Sequence, residues 1–458
     1  MSVSVVIPTV LRSPTVGRCV RAAGTAAARC GPDAEVILVV NGPDAPPAPA
    51  AVPDAPRLRV LRSAATAVSA ARNDGVAAAR HDTVLFVDDD LVVPADWCRR
   101  MAAALHAVPA VAAVAAPVRT AAVGPMTAFL QHERAFDARP LSAGRAATLV
   151  TANAGYRRDV FAGPPFDPDR YPEFGEDTDL GLRIRAAGGA IAWAAGGEAP
   201  VHEVAENPAS VLRRALRQGA GSARVYLQRR SLDYYLPAPR HAYDALVSGS
   251  RRSWRRYAEV TDPAARSVFV TVGLLRQAAM LIGYLDELGR SAGVELVECD
   301  EPALIRELTD LVAHVVEEAR VGAGVWPDLP VRFARPAAAA SDRTAAPPLA
   351  AIGRALHRFA RPVPGARVPA ALARDELSWL ARRDRSTADF TARLASSADA
   401  DAPTPTTLEA AGRAAGLALG EACLAWENGL GSAPRRWPGG SGPASWPVQS
   451  REASPCGS

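Results

Sequence analysis

The chain has 458 residues, too many for one typical domain, and 49% of them are hydrophobic, enough for at least one large core. The formal net charge is only +4 and charged residues make up 22%, so no polyanionic partner such as nucleic acid is implied. All 52 basic side chains counted as Lys or Arg are arginines, so a lone arginine carries little meaning by itself.

The six cysteines (Cys19, Cys30, Cys98, Cys299, Cys423, Cys456) form no CxxC pair, which argues against a zinc site or a disulfide framework and fits a reducing cytosol. The first ten residues, MSVSVVIPTV, lack a basic leader and are broken by Pro8, so they read as a buried strand and not a signal peptide.

In chain order, Val3 to Ile7 is an apolar β-branched strand that Pro8-Thr9 should stop, and a helix pattern follows to about Cys30. Glu35 to Val40 is a second strand, closed by Asn41-Gly42-Pro43. Pro43 to Pro56 is a Pro/Ala-rich loop, Leu58 to Leu61 a short strand, Ala67 to Arg80 a helix, and Thr83 to Val87 a strand that runs into three aspartates. This alternation predicts βαβ units and a mainly parallel sheet flanked by helices. Ligands on such sheets bind beyond the carboxyl ends of the strands, where Pro8, Asn41 and Asp88 fall. Trp97 to His106 reads as a helix and Val111 to Pro117 as a strand.

Beyond Asn207 the pattern is helical. An arginine-rich helix runs to about Arg230, and helical signal continues through Val321, with Leu304, Leu308, Leu311 and Val315 at helical spacing. Val268 to Leu285 is the most membrane-like stretch. It is shorter than the roughly 20 apolar residues of a span, and Arg276 at its middle would cost at least about 2.5 kcal/mol in a bilayer. A buried helix is the favoured reading, with a membrane-surface helix as the alternative. The organisation expected is a catalytic part over 1–230, a helical extension over 231–335 packing on it, a linker over 336–350, a helical region over 351–430 that includes Arg354 to Ala395 and Thr407 to Glu427, and a disordered tail over 431–458.

Two acidic clusters could carry chemistry. Asp88-Asp89-Asp90 at a strand end offers oxygen ligands to a hard cation such as Mg2+ or Mn2+, which takes one or two carboxylates plus substrate phosphates. If the strand alternation continues, Asp88 and Asp90 face one side. A solvated acidic turn is the plainer alternative. Gly175-Glu176-Asp177-Thr178-Asp179 opens a helix that ends at Gly188-Gly189. Its acids could serve only the helix N-terminus, or one could be a general base for a hydroxyl. His202 alone is more often structural than a ligand. Arg72-Asn73 sits on a helix beside the expected crevice, and Arg72 by itself is as consistent with a surface residue. Arg213, Arg214, Arg217, Arg224, Arg229 and Arg230 stud one helix, which reads first as a solvated face and second as a contact for anionic groups.

The order of these segments (VSVVIPT, EVILVVNGPD, AARNDGVAAA, VLFVDDD, GEDTDLGLRIRAAGG, VHEV) resembles a family 2 glycosyltransferase of the GT-A fold over roughly Val3 to Arg230. That resemblance implies an inverting enzyme acting on a nucleotide-diphosphate sugar and an acceptor hydroxyl (a glycan, lipid-linked or small molecule). The acidic triplet would be its DxD element, with Asp88 and Asp90 as metal ligands, Asp89 on the donor side and His202 as a further ligand. Asp177 would be the base with Glu176 beside it. Pro8, Thr9, Arg72 and Asn73 would line the donor site. The family's second strand usually ends in an aspartate that reads the base, whereas Asn41 stands here, so the nucleotide is left open. A cytoplasmic enzyme is implied, with peripheral contact to the inner membrane face and a homodimer both open. The alternatives are a non-catalytic GT-A-like module that binds a nucleotide sugar or glycan, and a nucleotidyltransferase on a similar sheet.

Overall fold

The structure, a computed structural model, describes residues 2–42, 57–121, 124–161, 163–229, 260, 263–291, 293, 297–323 and 360–362. The first half alternates as expected: β1 (Ser4–Thr9), α1 (Val16–Cys30), β2 (Glu35–Asn41), β3 (Leu58–Ser63), α2 (Val68–Ala78) and β4 (Thr83–Val87). These strands lie parallel in the order β3-β2-β1-β4. There follow β5 (Leu91–Val92), α3 (Trp97–Leu105), β6 (Val111–Ala115), β7 (Arg119–Thr120), α4 (Pro125–Glu133), β8 (Asn153–Arg157), α5 (Glu176–Ala186), β9 (Ala190–Trp193), β10 (Val201–His202) and α6 (Pro208–Arg229). The sheet grows to seven strands, β3-β2-β1-β4-β8-β6-β9, with only β8 antiparallel to its neighbours. It is a mainly parallel α/β sheet flanked by helices, as the alternation of elements predicts.

Both faces of the sheet are covered, so β1, β2 and β4 are buried along their whole length. Period-2 alternation sorts their side chains. Val5, Ile7, Val36 and Leu38 pack with Val16, Cys19, Trp97 and Met101 on one side. Val6, Ile37, Val39 and Phe86 pack with Ala71, Val76, Leu180 and Ile184 on the other.

One expectation is corrected at Pro8. Strand β1 does not stop there but continues through Pro8 and Thr9, paired with Val39 and Val40 of β2. The pairing to β4 does end first, at Val6 with Phe86, as suits a residue with no N–H to donate. A second correction falls at Ala360–Pro362, inside a stretch expected to be helical. These residues form β12, antiparallel to β11 (Val297–Cys299), because Pro362 removes the amide a helix would need. The loop over 43–56, the linker over 336–350 and the rest of the C-terminal segments lie outside the described residues.

The extension supplies α7 (Pro263–Ser291) and α8 (Glu301–Ala323), packed on α6 and on each other. Leu304 and Leu308 of α8 are buried. Helices α6 and α7 cross with their backbones in contact. A Cβ on Gly219 would lie 1.9 Å from the Met280 carbonyl oxygen, and one on Gly283 would lie 2.0 Å from that of Leu216. The membrane-like stretch is the middle of α7. Val268, Val272, Leu275 and Ile282 are buried in protein, and Arg276 reaches Gln218 (3.2 Å) and the buried Glu133 (3.7 Å). Among the described residues no helix is long and apolar enough to cross a membrane.

Candidate active site at the carboxyl edge of the sheet

The three aspartates do not continue β4. They form a turn in which the Leu91 N–H donates to the Asp88 carbonyl (3.1 Å), so strand alternation no longer decides which way each side chain points. Helix α1 fixes the turn from behind. The Thr15 hydroxyl donates to the Asp89 carbonyl (3.2 Å) and the Cys19 thiol to that of Asp88 (3.4 Å). Burial, then the three aspartates, push the Cys19 thiol well up, so it stays a neutral donor.

The three carboxylates go to three different partners. Asp88 accepts from Arg72 Nη2 (3.0 Å), Asp89 from the Thr9 hydroxyl, and Asp90 lies 3.0 Å from His202 Nε2. His202 arrives there because β10 pairs antiparallel with β5, the strand that directly follows the turn, with His202 opposite Leu91. Its ring stacks on Phe136 (4.5 Å between centroids), and the Arg214 guanidinium lies over Phe136 at 5.0 Å.

Arg72 joins the two acidic clusters. It is 5% exposed, and its second nitrogen, Nη1, donates to Glu176 (2.7 Å), the first residue of α5. The Asp88 turn and the Gly-Glu-Asp helix start, far apart in the chain, therefore stand one guanidinium apart. Asp177 is the neighbour with no such tie. Its carboxylate accepts from the N–H groups of Thr178 (2.6 Å) and Thr151 (3.3 Å), and among the described residues it forms no ion pair.

One arginine among so many carboxylates leaves excess negative charge. Burial, then the neighbouring Asp177 charge, push Glu176 up to about 8 despite Arg72. Burial also raises Asp177 and Asp88, in each case against the pull of Arg72, and Asp89 is held at about 7 mainly by burial. The sign for stability follows. The stability conferred by protonated Glu176 is fully present below its ordinary value of 4.5 and is lost as pH rises through about 8. Glu176→Gln, which still accepts from Arg72, should gain stability over the parent protein between these limits and hold a constant advantage above them. Thermal unfolding across pH 4–9 measures this, and a pH-independent difference would count against it.

Of the remaining donor-side residues, Pro8 and Thr9 end β1 beside Asn41, which ends β2. Asn41 is buried, and its amide donates to the Thr66 carbonyl (3.5 Å). Asn73 has both ends of its amide on the Phe166 backbone (2.8 and 3.1 Å), so in this arrangement it ties α2 to the loop leading into α5. The arginine-studded helix is mostly paired: Arg214 with Glu206, Arg217 with Glu173 (3.2 Å), Arg224 with Glu287 (2.9 Å) and Arg229 with Asp179 (2.5 Å). A bare cationic face for anionic groups is therefore not what these four provide. Arg230 lies outside the described residues.

Thr151, Phe136 and Arg214 were not singled out as site residues from the sequence. Their contacts, Thr151 to Asp177, Phe136 to His202 and Arg214 to Phe136, span 26, 66 and 78 residues of chain and leave no spacing signal, unlike the two acidic runs. Among the described residues no group of three or more His, Cys, Asp or Glu side chains is arranged to hold an ion by itself.

Comparison with known proteins places these features in a wider set. Residues 4–163 match the model described as glycosyl transferase family 2. The succinoglycan biosynthesis protein ExoM of Rhizobium meliloti (strain 1021) is 35% identical over 170 residues, which are 35% of this chain and 54% of that protein. The chain thus matches about half the length of that relative. Among solved structures, glucosyl-3-phosphoglycerate synthase from Mycobacterium tuberculosis, in complex with Mg2+ and uridine diphosphate, aligns at 16% identity and a TM-score of 0.35 over 50% of this chain and 79% of its own. S. aureus TarS 1–349, in complex with UDP-GlcNAc, aligns at 13% identity and a TM-score of 0.32 over 64% of this chain and 93% of its own.

Proposed function

From the match of residues 4–163 to the model of glycosyl transferase family 2, we propose that this chain moves a sugar from a nucleotide-diphosphate sugar to an acceptor hydroxyl, with inversion at the anomeric carbon and Asp177 as general base. The observation that carries this reading is Arg72. It binds Asp88 and Glu176 at once and so brings Asp177, which among the described residues forms no ion pair, close to the aspartate turn.

The residues present fit a divalent ion shared with the donor. Asp90 and His202 converge at 3.0 Å and would hold Mg2+ or Mn2+ together, while phosphate oxygens complete a shell that ordinarily needs only one or two carboxylates. The excess of carboxylates makes the same demand, because a diphosphate cannot approach them without a cation between. When bound, the ion would supply charge neutralisation for the departing diphosphate. Asp88, engaged by Arg72, is the weaker ligand candidate.

The protein's own groups do the rest. The Thr151 and Thr178 amides hold the Asp177 carboxylate from one side, and it takes the acceptor's proton with the other lone pairs. Burial raises its proton affinity toward the range where a base works best near neutrality. Pro8, Thr9 and Asn41 would border the nucleoside at the ends of β1 and β2.

A panel of nucleotide sugars should contain one that raises the melting temperature only with Mn2+ or Mg2+ present. At a hundredfold excess over its dissociation constant the gain is about 2.7 kcal/mol. Asp90→Ala should remove the metal-dependent part. A panel without any such compound, or a shift indifferent to both chelator and Asp90→Ala, overturns the donor and metal assignment.

A further inference from the structure

Helix α5, which carries Glu176 and Asp177, starts from Gly175 in a left-handed conformation (φ +103°). That turn lies directly against α6. A Cβ on Gly175 would stand 3.0 Å from the Gly221 carbonyl oxygen, and a Cβ on Gly221 would stand 2.6 Å from that of Phe174. No side chain separates the two backbones.

About two turns further along α6, Arg229 makes a second contact with the same helix. Its Nε is 2.5 Å from Asp179, a buried carboxylate that also accepts from Arg183 (2.9 Å) and the Tyr171 hydroxyl (3.2 Å). So α6 grips the first turn of α5 at both a backbone and a side-chain point. Helix α6 is itself held by α7 through the Gly219 and Gly283 backbone crossings and the Arg224–Glu287 pair. Backbone-to-backbone contacts cannot yield by a rotamer change, so a displacement of α7 passes to α6 and on to Gly175.

We propose that the α6–α7 pair sets the position of Asp177, so that Gly221, Arg229 and the remote Gly283 are positioning residues for sugar transfer. The extension beyond residue 260 is then a working part of the catalytic unit and not an appended module. This inference rests on Asp177 acting as the base.

Backbone hydrogen exchange of the full chain without ligand tests the brace. Arg229→Gln and Gly283→Ala should each speed exchange in the segment 175–182 by at least about tenfold while that of β4 stays unchanged, a local loosening and not a global one. With the donor found by the thermal screen, kcat for transfer should fall about 10- to 100-fold, the size expected when a reacting group is displaced by about 1 Å. The donor KM should stay within about twofold, and Arg229→Lys, which can still reach Asp179, should recover part of the loss. If Gly283→Ala does not fold, the partly exposed Arg229 still carries the test. Unchanged exchange, or exchange rising everywhere with kcat and KM moving together, overturns the proposal. Wild-type transfer by Asp177→Asn would instead refute the base assignment and leave the exchange result to decide the brace.

Discussion

Asp177→Asn is expected to lower sugar transfer by about 10²–10⁴-fold, the contribution of a positioned general base, while leaving donor affinity unchanged. Asparagine has the shape of aspartate and keeps an oxygen for the Thr178 amide at 2.6 Å, while the other carboxylate oxygen, which accepts from the Thr151 N–H at 3.3 Å, becomes a donor, so the local change is confined to that longer hydrogen bond. What it lacks is a lone pair basic enough to take a proton. The substitution has a second, independent consequence. The Asp177 charge is the largest electrostatic contribution, after burial, to the raised proton affinity of Glu176. Removing it should let Glu176 ionise below about 8, so the pH range in which the protein loses stability should move toward acid. Transfer at the wild-type rate would end the base assignment. An unshifted pH–stability curve would show that the two neighbours do not interact as their placement requires.

How much of this could be read from the sequence depends on the range of each contact. The strands β1, β2 and β4 were legible because a strand buried on both faces must be a near-continuous β-branched run, and Val3 to Ile7 and Glu35 to Val40 are such runs. The two acidic clusters stood out because consecutive carboxylates are costly unless something uses them. Orientation within the clusters was not legible. The alternation argument for Asp88 and Asp90 assumes a strand, and the chain turns there, held by Thr15 and Cys19 from a helix some 70 residues earlier. Two-residue strands such as β5 and β10 carry no periodicity, yet their pairing is what brings His202 to Asp90. The glycines of α6 and α7 are silent for a similar reason. In sequence Gly219, Gly221 and Gly283 look like weak points in helices, and only the partner backbone shows that no other residue fits. Pro8 misled for the opposite reason. Its local rule is correct, but the rule applies to only one edge of the strand.

The second large effect is expected at Arg72. Breaking a buried ion pair by removing one partner typically costs about 3–5 kcal/mol, because the other charge stays behind without compensation. Above about pH 8, where Glu176 is ionised as well as Asp88, Arg72→Met should reach that range, since two carboxylates then lose their partner together. For a cooperative unit of about 200 residues, the melting temperature should drop by roughly 6–20 °C. The sign of the pH dependence separates this cause from mere loss of packing. Without the guanidinium, Asp88 and Glu176 have still higher proton affinities in the folded state, and since Glu176 already stays protonated up to about 8 beside Arg72, the damage is expected to be greatest at pH 9.5 and to shrink toward pH 5. Adding Glu176→Gln to Arg72→Met should restore more stability at pH 9.5 than the same substitution gives the parent protein, a coupling energy that two independent sites would not show. Thermal unfolding of the two single variants and the double variant at both pH values measures this. A loss that is the same at pH 5 and pH 9.5, with the two substitutions simply additive, would mean that Arg72 only fills space and that the two acidic clusters are held together by something else.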